Sequence, residues 1–146
     1  MTFAVDVIKF AKKTGLRMDV VVRKFGFDGF AGILLRSPVL TGRFRGSNRI
    51  SVLNADLTVE PEGSSGRAGS ARAGDTRTGG EEAYAVNVLS TAQAGTDIVL
   101  SNNLPYAVPI EDGHSGQAPV GVYGPVLIEL QASVDKLVGE TKREIP

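Results

Sequence analysis

Apolar positions recur with helical spacing in four stretches of the chain. Phe3, Val7, Phe10 and Ala11 follow a plausible cap at Thr2 and stop before Lys12-Lys13 and Gly15, the pattern of a short amphipathic helix. A second helix is expected from about Arg17 to Leu35 on Met18, Val21, Val22, Phe25, Gly29 and Ile33, with Asp19 in its first turn. Gly26, Gly29 and Gly32 each weaken that helix by roughly 1 kcal/mol against alanine, which calls for close packing on a sheet rather than a hinge. Ser37-Pro38 ends it, because the residue before proline is pushed out of the α region. A third helix opens at Glu81-Glu82 and runs to about Ala94, with Gly95 as its stop. The last begins at Pro125 as its first helical residue and carries Val126, Leu130, Val134, Leu137 and Thr141 on one face.

Alternation marks the strands. After a turn at Thr41-Gly42, a β stretch from about Phe44 to Leu53 sets Ile50 and Val52 against Arg49 and Ser51. Leu57–Glu60 reads as a second strand or as a continuation of the first, and Ile98, Val99 and Leu100 as a short buried strand. Between them, PEGSSGRAGSARAGDTRTGG (61–80) is rich in glycine and lacks any large apolar side chain, so burial cannot offset its ordering entropy. That segment is expected to be a flexible loop, or an arm that orders on a partner. The whole is an α+β chain, helices around two or three short strands without βαβ periodicity, in one domain spanning 1–146.

At 146 residues with 42% apolar content, the chain is long enough for one real core, and no uncharged apolar stretch reaches the roughly 18–20 residues of a membrane span. The charged N-terminal pattern is not that of a signal peptide. Absence of cysteine removes disulfide frameworks, thiolate zinc sites and cysteine nucleophiles, and fits a reducing compartment. Net charge is zero, which argues against bulk attachment to nucleic acid. The zero conceals an asymmetry: residues 1–77 carry thirteen Lys and Arg against seven Asp and Glu, and residues 78–146 carry three against nine. This is either chance segregation of solvated faces or a subunit with two oppositely charged faces able to pack head to tail.

Catalytic groupings are thin. His114 is the single imidazole, and a Ser-His-Asp arrangement is not built from neighbours such as Asp112-Gly113-His114-Ser115. No GxSxG elbow is present, no histidine partner gives metal spacing, and the glycine-rich loop lacks the GK[ST] of a phosphate cradle. No catalytic, cofactor-binding or metal residue is assigned, and the expectation is a non-enzyme.

Two segments carry more specific information: Arg36-Ser37-Pro38-Val39-Leu40-Thr41-Gly42-Arg43-Phe44-Arg45-Gly46-Ser47, and Ser101-Asn102-Asn103-Leu104-Pro105-Tyr106-Ala107-Val108-Pro109-Ile110-Glu111-Asp112-Gly113-His114 continuing to Ser115-Gly116-Gln117-Ala118-Pro119. From these the chain resembles the small tail-completion, or head–tail joining, proteins of tailed bacteriophages, over about residues 5–138. Leu40 departs from the pattern, where Asp is usual before Thr-Gly, and the 61–80 loop is longer than in a compact member. The resemblance implies a helix-flanked sheet like that of tail terminators. It also implies a virion protein of the neck, assembled in the bacterial cytoplasm as a ring, with six copies expected, against connector and tail-tube proteins. A tail terminator or head-closure protein is the neighbouring alternative, and a small hydrolase using His114 the remote one.

The residues support an interface beside the resemblance. Pro105 and Pro109 stiffen an exposed turn, and Tyr106 is either an interface anchor or a core aromatic with its hydroxyl at the surface. Glu111 is expected to accept backbone N–H groups of the Gly113–Ala118 turn, or to pair with Arg43 or Arg45. Gly113 is expected to need a positive φ. Arg67, Arg72 and Arg77 on the loop are candidates for non-specific contact with DNA in a channel, and His114 closes the interface set.

Overall fold

The computed structural model describes residues 18–69, 74, 79–93 and 95–143, with 137–143 by backbone alone. The helix expected at 3–13, and Arg72 and Arg77, lie outside them. The architecture is mixed: five helices and one two-stranded antiparallel sheet among the described residues.

Helix α1 (Met18–Arg36) is the central element. It is apolar on more than one side, and a helix of that kind is buried on more than one side. Phe30 and Leu34 join Ile50, Ala85, Leu89 and Ala92 in one core cluster. Ile33 joins Phe44, Leu104, Ala118, Val122 and Val126 in a second. The three glycines of α1 explain how neighbours come so close. A Cβ on Gly26 would stand 2.8 Å from the Ile98 side chain, one on Gly29 3.1 Å from Leu130, and one on Gly32 3.2 Å from Val126. Close packing, against strand and helices alike, is thus the reason for them.

The β stretch expected from Phe44 begins later than that. Gly42 is left-handed (φ +85°) and starts one helical turn, α2 (Arg43–Gly46), closed by Gly46 N–H on the Gly42 carbonyl at 2.8 Å. This turn drops Phe44 into the core beneath Ile33. Strand β1 (Arg49–Val52) follows.

Leu57–Glu60 is not a strand. The Asp56 carboxylate accepts the Thr58 N–H (3.0 Å) and hydroxyl (2.6 Å), a local turn that competes with a ladder. The first part of the 61–80 loop departs from a mobile segment. Residues 66–68 form a 3₁₀ turn with Ala68 fully buried. Backbone approach replaces side-chain bulk there: a Cβ on Gly46 would lie 2.1 Å from the Ser65 carbonyl oxygen.

Helix α3 (Gly79–Leu89) starts before Glu81 and ends well short of Ala94. Strand β2 (Ile98–Ser101) is half-buried and pairs with β1 in the register Arg49↔Ser101, Ile50↔Leu100, Ser51↔Val99, Val52↔Ile98. A five-residue helix α4 (Ala107–Glu111) and the long α5 (Tyr123–Arg143) complete the fold. Val126 and Val134 of the predicted stripe are buried and Leu130 half-buried. Among the described residues, no helix is long and apolar enough to cross a membrane.

Candidate functional site

The two segments singled out in the sequence come together in space, and buried polar side chains hold them there. Ser37, at the end of α1, donates its hydroxyl to the Ile33 carbonyl (2.7 Å) and accepts Asn48 Nδ2 (2.8 Å). Asn48 Nδ2 also donates to the Arg45 carbonyl (3.2 Å), while its Oδ1 accepts Asn102 Nδ2 (3.0 Å) and the Tyr123 hydroxyl (2.6 Å). All hydrogen-bonding capacity of the buried Asn48 amide is therefore used, which is what makes such a network specifying rather than destabilising. Asn102 Nδ2 donates as well to the Phe44 carbonyl (2.9 Å). At the surface, Gln117 clamps the backbone of Val39, its Oε1 accepting the N–H at 2.8 Å and its Nε2 donating to the carbonyl at 3.4 Å.

The result is an open groove of about 530 Å³. Pro38, Leu40 and Phe44 from the first segment and Tyr106, Ile110 and Gln117 from the second are among the residues that line it. The Phe44 and Tyr106 rings lie 6.4 Å apart at 34°. Leu40 is 94% exposed and Tyr106 38%, so both present apolar surface to solvent. Leu40 is thus an almost fully exposed leucine on the groove.

Glu111, on α4, organises the side of the site next to α5. Its Oε2 accepts the backbone N–H groups of Val122 (2.8 Å) and Tyr123 (2.9 Å), and its Oε1 that of Gly124 (2.8 Å). Burial alone raises its carboxyl, but the three donors outweigh that and hold it below the usual range. A carboxylate on the orphan N–H groups of a helix start is the arrangement the helix dipole favours. Because Glu111 supplies this cap from outside, α5 begins at Tyr123, ahead of Pro125. The donors are therefore backbone N–H groups, as one expectation had it, but those of 122–124 rather than of the Gly113–Ala118 turn. Neither Arg43 nor Arg45 pairs with Glu111. Burial, and then the Glu111 charge, push the Tyr123 hydroxyl above its ordinary value, so it stays a neutral donor to Asn48.

The arginines divide sharply. Arg45, one of the expected interface residues, is completely buried within the chain, with Nε and Nη2 each 3.1 Å from an oxygen of the buried Glu81. Arg43 lines the groove and donates Nε to the Glu60 carbonyl (2.8 Å). Arg67 lies over the Tyr84 ring, 3.6 Å from its centroid, and is not held out on a free arm. Together with an Arg36–Glu129 ion pair, Arg45–Glu81 joins the basic half of the sequence to its acidic half within one chain. This internal pairing weakens the case for two oppositely charged faces.

Pro105 is exposed in the turn before α4, and Pro109 is exposed within the first turns of that helix, where its missing N–H leaves no gap. Gly113 has φ +88°, as expected. His114 is exposed, with its backbone N–H on the Pro109 carbonyl at 3.1 Å. Among the described residues, no three His, Cys, Asp or Glu side chains gather as metal donors. Asn48, Glu81, Gln117 and Tyr123 were not foreseen. Asn102 and Gln117 lie inside the quoted motif, and their amides were the available signal for polar ties between the two segments.

Compared with protein-family models, curated proteins and solved structures, the chain matches none.

Proposed function

We propose that this chain is a structural protein of a tailed-phage virion, acting in the neck as a tail-completion protein that joins the tail to the DNA-filled head, with a fold of the tail-terminator kind. The single observation that supports this reading is the convergence of the two motif segments on one groove, with their polar residues spent on holding the groove's shape. A surface built that way suits docking. Pro38, Pro105 and Pro109 limit the entropy lost when a partner binds, and Leu40 and Tyr106 offer amphipathic and apolar anchors. Other neck and tail-tube proteins are the partners, and further copies of the chain complete a ring. Arg67 lies over Tyr84, which leaves Arg72 and Arg77 as the loop's other candidates for contact with DNA in a channel.

In vitro complementation tests the reading. Lysates holding DNA-filled heads and free tails, but lacking this protein, should yield joined particles when the wild-type chain is added. Tyr106→Ala, folded by circular dichroism, should fail to support joining. Full joining without any added protein would refute the proposal.

A further inference from the structure

The two strands are closed unequally at their outer edges. The Leu53 N–H bonds the Asp97 carbonyl at 2.8 Å, which fixes the ladder phase: Arg49 and Ser51 are the residues that face Ser101 and Val99 as hydrogen-bonded pairs. Ile50 and Val52 on β1, and Ile98 and Leu100 on β2, therefore turn their backbone groups outward. On the β1 side three of these four groups are covered, the exception being the Val52 N–H. The Tyr84 hydroxyl accepts the Ile50 N–H (3.2 Å) and donates to the Ile50 carbonyl (3.1 Å), and Asn54 N–H takes the Val52 carbonyl (3.1 Å). On the β2 side, among the described residues, nothing bonds the outward N–H and C=O of Ile98 or Leu100.

An open edge is ordinarily guarded by lysine, proline or a bulge. Asp97-Ile98-Val99-Leu100-Ser101 has none of these and is β-branched and apolar at its centre. A two-stranded sheet is also marginal by itself, and three or more strands give independent stability.

We propose that the β2 edge pairs antiparallel with the β2 edge of a second copy of this chain, across a two-fold axis at Val99. The reasoning is one of self-complementarity. Only an extended backbone can satisfy alternating donors and acceptors, and in an isologous contact the same edge supplies both partners. Centred on Val99, the register sets Ile98 opposite the second copy's Leu100 and Leu100 opposite its Ile98, so every outward group of both residues is used. Val99, half-buried and outside both core clusters, meets its own copy as a close non-hydrogen-bonded pair of β-branched side chains. Asp97 faces Ser101, so no like charges oppose each other. The sheet becomes four-stranded, β1-β2-β2-β1. This contact uses a surface other than the groove and does not rest on the neck reading.

The cysteine-free chain makes the test direct. Non-hydrogen-bonded partners have Cα atoms about 4.5 Å apart, within disulfide reach. Val99→Cys should therefore oxidise to a covalent dimer at least tenfold faster than a control, Leu57→Cys, at an exposed position elsewhere. Equal rates for the two variants would overturn the proposal. Wild-type protein supplies the second measurement: amide exchange at Ile98 and Leu100, read by NMR, should slow as concentration rises through the monomer–dimer transition seen in sedimentation. Exchange at these amides that does not change with concentration overturns it, whatever the assembly state.

Discussion

Removing the Glu111 carboxylate is the perturbation with the clearest structural magnitude. It accepts three backbone N–H groups at 2.8–2.9 Å, all at the start of α5. Hydrogen bonds to a charged acceptor contribute about 1.5–3 kcal/mol each, whereas replacing an ordinary N-cap by alanine costs about 1 kcal/mol because water takes over. Val122 is fully buried, so water reaches its N–H poorly, while Gly124 is half-buried and better placed. One poorly replaced bond and two partly replaced ones place Glu111→Ala at about 3 kcal/mol of destabilisation. For a chain of this size that is a fall in Tm of roughly 10 °C. Glu111→Gln keeps one acceptor oxygen but turns an NH₂ toward the remaining donors, so it should lose about 2 kcal/mol.

The pH dependence has a definite sign. The folded carboxyl lies below its ordinary value of 4.5, so its contribution is complete above about pH 4.5 and disappears as pH falls through the lower, folded value. The gap between urea melts of wild type and Glu111→Gln should thus narrow as pH falls from 7 to 3. A variant within 0.5 kcal/mol of wild type at pH 7, or a gap that stays constant down to pH 3, would refute the reasoning.

Glu81→Ala should destabilise by about 3–5 kcal/mol, because it removes the carboxylate bonded to the buried Arg45 guanidinium, and Arg45→Met with Glu81→Leu should recover most of that in chemical denaturation. Gly26→Val should lower stability by more than 2 kcal/mol by driving Ile98 off the helix, whereas Gly63→Ala, whose Cβ meets nothing within 4 Å, should cost about 1 kcal/mol for its positive φ alone. Asn48→Ala should cost about 3 kcal/mol by leaving the Tyr123 hydroxyl and Asn102 amide without their acceptor, again read by denaturant melts. Leu40→Asp should leave Tm within about 1 °C, since the side chain is 94% exposed.

Much of the helical frame was legible because periodicity and punctuation agreed. α1 ends at Arg36, just before Ser37-Pro38, and the α5 stripe buries Val126 and Val134. The glycines of α1 were legible too, as a packing device. What escaped has a common cause: the partner is distant in sequence. Arg45 sits among Arg43, Arg49 and small residues and reads as surface charge until Glu81 arrives from α3. Residues 61–69 lack large apolar groups and order through backbone approach to Gly46, which composition does not register. The early start of α5 depends on Glu111, eleven residues before the first N–H it accepts. Of the expected interface residues, Tyr106 lines the groove, while Pro105 and Pro109 are exposed beside it without lining it. The amides that fix the groove were missed because their value lies in geometry.

The most direct measurement is electron microscopy of particles made when the gene for this chain is silenced. The account predicts DNA-filled heads accumulating beside finished, unattached tails of normal length, with joining restored by the wild-type chain and not by Tyr106→Ala. Normal infectious particles would contradict a role in the neck, and tails of abnormal length would contradict a joining role in favour of length termination.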